Sequence, residues 1–212
     1  MAAKHLVWDW NGTLLDDLPL VVTATNAAFA SIGGPIVSAD EHRRDFRRPI
    51  SDYYGSVLGR PVDDAEYLVL DRAFHDAYRG GVAECRLTAD ALAAMELWTG
   101  SQSLLSMWFH AELVPTVTRY GLTSYFARVD GLRAEVGGGF KSEHLIAHLA
   151  ELGIDGADAV LIGDSIDDAD AAASVGARCI LYTGGFTHPE QLRASGRESA
   201  DSLVDAVRMA LA

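Results

Sequence analysis

The chain has 212 residues, 49% hydrophobic and 22% charged. This is the composition of a folded protein with room for one core domain and a smaller insert, or for two small domains. Its formal net charge of −13 argues against a nucleic acid partner, whose phosphates would be repelled. Because no apolar run reaches the roughly 18 residues of a membrane span, we also expect no membrane partner.

The N-terminal sequence and the cysteines bear on the compartment. MAAKHLVWDW passes directly into a strand-like pattern, without the apolar stretch and cleavage site of a signal peptide. Cys85 and Cys179 lie far apart without metal-ligand spacing, and we interpret them as reduced structural thiols. We therefore predict a cytoplasmic protein, either a monomer or a homodimer.

The first part of the chain predicts one strand followed by helices. HLVWDW is a short apolar run, which indicates a buried strand ending near Asp9. A helix over 16–34 has Pro19 in its first turn, and Ser38 and Glu41 have the spacing of a capping box. Further helices are predicted over 51–59, 62–81 and 88–100. The block 18–88 is therefore predicted to be entirely helical and is interpreted as a cap domain.

After residue 100 strands alternate with helices. Strands are predicted over 102–108, 125–131, 158–164 and 178–185, and helices over 111–121, 142–153, 167–177, 188–196 and 200–212. Pro115 is expected in or near the first turn of its helix. Such alternation indicates a parallel sheet with helices on both faces. We predict an α/β fold: a Rossmann-like, doubly wound parallel-sheet core (1–17 and 89–212) with an inserted all-helical cap domain (18–88).

Polar side chains stand where ligands bind in such a sheet, outside the carboxyl ends of the strands. Strands are predicted to end at Asp9, Ser106 and Asp164, and Lys141 follows the flexible VGGGF sequence. Carboxylates and a backbone carbonyl can hold Mg²⁺. A hydroxyl, backbone N–H groups and an ammonium can bind phosphate, which leaves Asp9 free to attack phosphorus. Lys141 is one of only two lysines beside fifteen arginines, which suggests a need for a compact ammonium.

Four ordered motifs, DWNGT, LLS, Lys141 and GDSIDD, resemble those of the haloacid dehalogenase-like (HAD) hydrolase superfamily, and especially its phosphoglycolate phosphatase-like branch. The resemblance implies a Mg²⁺-dependent phosphatase that acts on a small phosphorylated molecule through an aspartyl-phosphate. By the same resemblance Asp9 is the nucleophile, Ser106 binds phosphate and Lys141 orients it. The implied metal ligands are Asp9, the carbonyl of Asn11, Asp164 and, directly or through water, Asp168.

The first motif departs from the family pattern at Asn11. Phosphatases of the superfamily usually carry a second Asp there, which moves protons to and from the leaving group and water. An amide can hold geometry but cannot exchange a proton at neutral pH, and losing such help costs on the order of 10²–10⁴ in rate. Three possibilities stay open: a substrate with an activated leaving group, a borrowed group such as Asp16, Asp17 or His110, or a catalytically impaired protein that acts by binding a phosphate ligand.

Candidate substrate-binding residues surround these motifs. HRRDFRRP places four arginines in six residues, which either hold an anionic group of the substrate or form a solvated helix face that balances nearby acids. The residues that we expect to contact substrate are Gly12, Thr13, Ser106, Trp108, His110, Arg47 and Arg48.

Overall fold

The computed structural model describes residues 4–134 and 136–212; residues 1–3 of the N-terminal sequence considered above lie outside them. The strands are β1 (His5–Trp8), β2 (Leu15–Asp16), β3 (Arg86–Leu87), β4 (Ser101–Phe109), β5 (Val129–Leu132), β6 (Ala159–Gly163), β7 (Arg178–Tyr182) and β8 (Ser199–Ala200). The helices are α1 (Leu18–Ser31), α2 (Ala39–Asp45), α3 (Ile50–Leu58), α4 (Asp64–Gly81), α5 (Ala91–Leu97), α6 (His110–Arg119), α7 (Ser142–Leu152), α8 (Ile166–Ser174), α9 (Pro189–Ala194) and α10 (Leu203–Leu211).

The main sheet has the strand order β5-β4-β1-β6-β7-β8, and every pairing in it is parallel. Successive residues of β1 point to opposite faces of the sheet. Leu6 and Trp8 accordingly pack in one buried cluster with residues of α5, α6 and α10, while Val7 packs in another with residues of α7 and α8. The predicted α/β, doubly wound parallel sheet is confirmed.

The helical segment α1–α4 follows β2 and has a buried cluster of its own, which includes Phe29, Tyr53, Tyr54 and Leu70. The capping box predicted at Ser38 is present at the start of α2. The prediction that 18–88 is entirely helical is wrong at Arg86–Leu87, which pairs antiparallel with Leu15–Asp16. Two residues are too few to show the alternating pattern of a strand. The domain boundaries themselves stay a prediction.

Two other expectations differ from the structure. Pro115 lies in the second turn of α6, not near its first, because the helix begins at His110. The loss of one backbone hydrogen bond there is tolerated while Leu113 and Val117 stay buried on the core side. The strand predicted over 125–131 is β5, which begins only at Val129, after a turn of 3₁₀ helix over Thr123–Tyr125. None of the helices within the described residues has the length and apolar character to cross a membrane.

Candidate active site

The candidate active site lies where the carboxyl ends of three neighbouring strands meet. β1 is flanked by β4 on one side and β6 on the other, which is the change of direction where ligands bind in open parallel sheets. Asp9 directly follows β1 and Asp164 directly follows β6. Ser106 lies inside β4, which continues to Phe109 instead of ending at Ser106 as expected, with a register shift toward β5 after Leu105. The topology thus brings the predicted residues together.

Lys141 is the cation of this site. It precedes α7 and is 3% exposed. Its Nζ donates to Asp9 Oδ1 at 2.5 Å and to Asp168 Oδ1, and its backbone N–H donates to Asp167 Oδ2 at 3.1 Å. Burial alone would favour a neutral amine, but the carboxylates of Asp168 and Asp9 hold the pKa of Lys141 above its usual range. Lys141 therefore stays charged where it can meet an anionic ligand.

Three buried carboxylates, of Asp9, Asp164 and Asp168, each place one oxygen within 4.8 Å of the others. Burial, with Lys141 opposing it, raises the pKa of Asp9 to about 6. Burial and the charges of Asp9 and Asp168 raise the pKa of Asp164 as well. One ammonium does not balance three carboxylates, so the cluster holds an excess of negative charge. A divalent cation with oxygen ligands fits both this charge and this donor set.

Asp168 is held differently from the other two acids. Ser165 and Asp168 form the capping box of α8, and Asp168 Oδ2 accepts hydrogen bonds from Ser165 N, Ser165 Oγ and Asp164 N. Although burial disfavours its charge, Lys141 and the Ser165 donors lower the pKa of Asp168. In this arrangement Asp168 is first of all the partner that orients Lys141.

Asn11 is fixed by a buried hydrogen-bond network. Its Nδ2 donates to Asp17 Oδ2 and to the Tyr78 hydroxyl, both at 2.8 Å, and its Oδ1 accepts from Ser106 Oγ at 3.1 Å. The Tyr78 hydroxyl also donates to Asp17 Oδ2 at 2.7 Å. Burial raises the pKa of Asp17 to about 6, against the hydrogen bonds from Asn11, Tyr78 and Gly12 that favour its charged form. The amide thus links Ser106 to a buried acid.

The turn after Asn11 packs tightly against the carboxylates. Gly12 has φ +71°, and a Cβ there would lie 2.5 Å from Asp164 Oδ2, so both conformation and space require glycine. Gly12 is expected to contact substrate, and its N–H donates to Asp17 Oδ1 at 2.8 Å. Thr13 is fully buried, and its hydroxyl donates to Asp9 Oδ2 at 3.2 Å. Gly12 and Thr13 therefore shape the acidic cluster, and their contact with substrate stays a prediction.

A small cavity opens directly over the site. Its lining includes Asp9, Asn11, Ser106, Lys141, Asp164 and Asp168 from the sheet side and Phe46 and Arg48 from the loop between α2 and α3. Arg48 Nε lies 3.6 Å from Asp167 Oδ2, and Nη1 donates to the Gly139 carbonyl at 3.0 Å. Arg48 is thus the arginine of HRRDFRRP that reaches this cavity.

The other arginines of that sequence make local or structural contacts. Arg43 Nη2 donates to the Thr183 carbonyl, and Arg44 pairs with Asp40 at 2.9 Å on the surface. Arg47 donates to the Asp45 carbonyl and to Ser56 Oγ, and it lines an outer groove rather than the cavity over the site. The interpretation as a solvated helix face therefore fits Arg44, whereas Arg47 is exposed but lies in the loop after α2.

The two remaining candidates lie in different surroundings. Trp108 lines the larger cavity that adjoins the site, and its Nε1 donates to Glu112 Oε2 at 3.0 Å. His110 begins α6, where its Nδ1 accepts from Gly131 N and its Nε2 lies 3.2 Å from Arg133 Nη2. Trp108 therefore lies beside the site, whereas both ring nitrogens of His110 contact Gly131 and Arg133.

Sequence reasoning missed Tyr78, Asp167 and Phe186. Phe186 N donates to Asp164 Oδ2 at 2.5 Å, and Tyr78 is 67 residues from its partner Asn11, so no local pattern could reveal either contact. Asp167 belongs to the acidic GDSIDD sequence, and its crowding with Asp164 and Asp168 was the available signal.

Comparison with known proteins is consistent with this geometry. The family described as HAD-hydrolase-like matches residues 141–210. The chain is 26% identical to the phosphoglycolate phosphatase of Caulobacter vibrioides over 86% of this chain and 80% of that one. It is 24% identical to the N-acetylmuramic acid 6-phosphate phosphatase of Pseudomonas aeruginosa over 97% and 92% of the two chains.

Solved structures share the fold. A predicted phosphatase from Clostridium acetobutylicum superposes with a TM-score of 0.86 at 15% identity, covering 99% of this chain and 98% of the other. A haloacid dehalogenase-like family hydrolase from Streptococcus pneumoniae gives 0.83 at 16% identity, covering 98% of both chains. At such identities the likeness establishes the fold alone.

Proposed function

Since the chain belongs to the HAD-like hydrolase superfamily, with phosphoglycolate phosphatases among its relatives, we propose that it is a Mg²⁺-dependent phosphatase that hydrolyses a small-molecule phosphate ester through an aspartyl-phosphate. The observation that carries this proposal is the buried cluster of Asp9, Asp164 and Asp168 around Lys141, beside Ser106. Phosphoryl transfer needs this combination of a nucleophile, cations and phosphate donors.

Asp9 and Asp164 would bind the cation, with the backbone carbonyl of Asn11 as a further ligand. Asp168, which also contacts Lys141, would support the metal directly or through water. The excess of buried negative charge in the cluster fits this assignment. When bound, the ion supplies positive charge to the phosphate oxygens and to the group being transferred.

The chain's own residues would carry the reaction. Lys141 would hold the phosphate together with Ser106, whose hydroxyl exchanges its hydrogen bond to Asn11 for one to phosphate, and Lys141 favours the ionised form of Asp9. A carboxylate oxygen of Asp9 forms a bond to phosphorus while the ester P–O bond breaks and its electron pair stays with the leaving oxygen. Water then attacks the aspartyl-phosphate at phosphorus, releases phosphate, gives its proton to solvent and regenerates the Asp9 carboxylate.

Asn11 affects the proton transfers in both steps. Its amide is committed to Asp17, Tyr78 and Ser106, so it positions Ser106 but gives no proton to the leaving oxygen. We therefore propose a selective enzyme that turns over esters with stabilised leaving groups and hydrolyses ordinary alkyl phosphates slowly.

The same observation supports a second function, a catalytically impaired protein that binds a phosphate ligand. The two functions differ in turnover, not in binding. Trapping Asp9 with beryllium fluoride reports a competent nucleophile in either case, so it does not separate them.

The test is phosphate release from several phosphomonoesters, phosphoglycolate included, by wild type, Asn11→Asp and Asp9→Asn in the presence of Mg²⁺. We expect release by wild type, a gain on the order of 10²-fold for alkyl esters in Asn11→Asp, and none in Asp9→Asn. If wild type and Asn11→Asp both release nothing while still binding Mg²⁺ and phosphate, the binding function replaces the catalytic one.

We further propose that the protein acts in the cytoplasm on a small phosphorylated molecule, as a monomer or homodimer, without nucleic acid or membrane partners. The net charge of −13 and the free thiols of Cys85 and Cys179 support this setting. Gel filtration with light scattering tests the oligomeric state.

A further inference from the structure

The larger cavity beside the candidate active site is lined largely by aromatic rings. We call it the aromatic pocket; its volume is about 110 Å³. Its aromatic lining residues are His42, Phe46, Tyr53, Tyr54, Tyr67, Phe74, His75, Tyr78, Trp108 and Phe186. Asn11, Phe46, Arg48, Met107 and Phe186 line both this pocket and the cavity over the acidic cluster, so one ligand can occupy both.

Phe74 and Tyr78 of the pocket are stacked at 14°, but other neighbouring rings stand at steep angles to one another. Tyr78 and Trp108 have centroids 5.4 Å apart at 75°, and Phe46 and Phe186 have centroids 5.5 Å apart at 74°. Such walls present both ring edges and ring faces, the partners that a further aromatic ring prefers. The lining therefore favours a planar aromatic group over a small polar one.

Two histidine nitrogens in the lining residues lack hydrogen-bond partners among the described residues, which favours a ligand that carries a hydrogen-bonding group. His42 is 1% exposed and its Nδ1 lies 2.8 Å from the Tyr53 hydroxyl, but its Nε2 has no hydrogen-bond partner among the described residues. Nδ1 of His75 is buried and unpaired in the same sense. Burial lowers the pKa of His42 to about 4, so its imidazole is neutral. Its Nε2 can then donate a hydrogen bond to a ligand or accept one from it, depending on the tautomer. Leaving such atoms unpaired is costly.

The charges of the pocket disfavour a carboxylated leaving group. Arg48, at the end shared with the acidic cluster, is the one cationic side chain among its described lining residues, and Asp71 is also part of the lining. Arg48 is already 3.6 Å from Asp167. A ligand that places its phosphate at Lys141 and a carboxylate deeper in the pocket would find no further cation among the described lining residues to bind that carboxylate.

We infer that the substrate of the proposed phosphatase is an aryl phosphate, the phosphate ester of a phenol whose ring carries at least one further hydrogen-bonding group. The ring lies in the aromatic pocket and the phosphate lies at Ser106 and Lys141. This inference rests on the proposed function and specifies its substrate class.

The identity of residue 11 independently favours the same class. When Asp9 attacks, the bond from phosphorus to the phenolic oxygen breaks and the electron pair leaves with that oxygen. A phenol has a pKa of about 10, compared with about 16 for water, so a phenolate departs without the proton that Asn11 cannot supply. Phenolate then takes its proton from solvent.

The first experiment measures binding, because it does not depend on turnover. Benzylphosphonate and methylphosphonate are titrated calorimetrically into the Mg²⁺-loaded wild-type protein. We expect benzylphosphonate to bind at least 10-fold more tightly, and at least one of the three hydroxybenzylphosphonates to bind a further 5-fold more tightly. Equal affinity for the benzyl and methyl compounds overturns the inference, and a lack of any hydroxyl effect overturns the hydrogen-bonding requirement.

A matched pair of variants locates the ring. Val21 lines the pocket and is buried, whereas Thr23 of the same helix is exposed. Val21→Phe should remove the advantage of benzylphosphonate and leave methylphosphonate affinity unchanged, and Thr23→Phe should change neither. If Val21→Phe does not fold, the comparison of ligands on wild type still decides. An advantage that persists in folded Val21→Phe overturns the inference.

Hydrolysis separates this inference from the proposed function. Acetyl phosphate has a good leaving group but no ring, so its turnover requires only the machinery at Asp9. We expect wild type to hydrolyse phenyl phosphate with a lower KM than acetyl phosphate. Turnover of acetyl phosphate without any preference for the ring overturns the substrate class and leaves the phosphatase intact. Absence of turnover for both compounds overturns the proposed function instead.

Discussion

At the scale of single residues, Asn11 keeps its place in the site through contacts that an aspartate could not make in the same way. Its Nδ2 donates to Asp17 Oδ2 at 2.8 Å, and Asp17 is buried. Replacing the amide by a carboxylate would set two buried acids against each other, which raises the pKa of at least one of them. The Asn11→Asp variant described above therefore brings in a proton donor at a cost in stability.

The loss of stability expected from replacing Gly12 can be compared with that from replacing Gly33, a glycine of similar backbone conformation. Gly12→Ala would place a Cβ 2.5 Å from Asp164 Oδ2 at a backbone φ of +71°, whereas Gly33 has nearly the same φ, +70°, and open space within 4 Å. We expect Gly33→Ala to lower the free energy of unfolding by about 1 kcal/mol through backbone strain alone. Gly12→Ala should lower it further and reduce phosphate release at least ~10-fold.

The measurement is urea unfolding of both variants beside their phosphatase activity. Because the two glycines share a conformation, the difference between the variants isolates the contact with Asp164. Equal destabilisation with unchanged activity in both would contradict the role of Gly12 in packing the acidic cluster.

At the scale of elements, what the sequence could predict depended on how local each signal was. β1, β6 and β7 are short apolar runs before turn residues, and α2 carries its capping box in four residues, so these elements were predictable. β3 was not, because its two residues are strand only through pairing with Leu15 and Asp16, some seventy positions away.

The site divides in the same way. Asp9 and Asp164 follow from ordered motifs at strand ends, Lys141 and Asp168 from motifs at the starts of α7 and α8, and the structure brings all four together. The surroundings of Asn11 and the lining of the aromatic pocket depend instead on how α1, α3 and α4 lie over the sheet. No local spacing encodes that placement, so Tyr78 was not predicted.

The loop between α2 and α3 allows a matched test of its two arginines. Arg48 lies near Asp167 and lines the cavity over the site, whereas Arg47 is exposed and bonded to Asp45 and Ser56. Arg48→Gln should raise KM for a phosphate ester about 10-fold, because a cation near the bound anion is lost, with a smaller effect on kcat. Arg47→Gln should leave both constants close to those of wild type. Equal changes in the two variants would show that Arg48 has no particular part in binding.

At the scale of the whole molecule, a buried polar network that joins β1, β4 and α7 makes the stability of the protein depend on pH. His5 lies between Ser101 Oγ and Ser103 Oγ, each at 2.7 Å, and Ser103 Oγ also lies 2.7 Å from His148 Nε2. Burial and the nearby His148 lower the pKa of His5 to about 4. Its unfolded value is about 6.5, so between these values the unfolded chain binds the additional proton and the folded protein loses stability as the pH falls.

We expect the difference in unfolding free energy between wild type and His5→Gln to be constant above pH 6.5 and to shrink by up to about 3 kcal/mol as the pH falls toward 4. The raised pKa values of Asp9 and Asp17 act in the opposite sense, but they are present in both proteins and cancel in the difference. Urea unfolding at pH 7 and pH 4.5 makes the comparison. A difference that is independent of pH would contradict a buried, neutral His5.

Because of the acidic cluster, we expect the stability of the folded protein to depend on divalent cations as well. Asp164 is 2% exposed, and burial with the charges of Asp9 and Asp168 raises its pKa, so in metal-free protein above that pKa its charge opposes folding. A ligand that binds only the folded state at 100 times its Kd stabilises by about 2.7 kcal/mol. For a chain of this length Mg²⁺ should then raise Tm by about 5–10 °C.

Asp164→Asn separates the two effects of this carboxylate. Without metal the variant should be at least as stable as wild type, since a buried negative charge has been removed without changing the side-chain volume. It should also show little response of Tm to Mg²⁺, because a ligand of the proposed site is missing. Scanning calorimetry with and without Mg²⁺ measures both. A wild-type Tm that does not respond to Mg²⁺, or an equal response in the variant, would show that the charge of this cluster is balanced by Lys141 and protonation rather than by a cation.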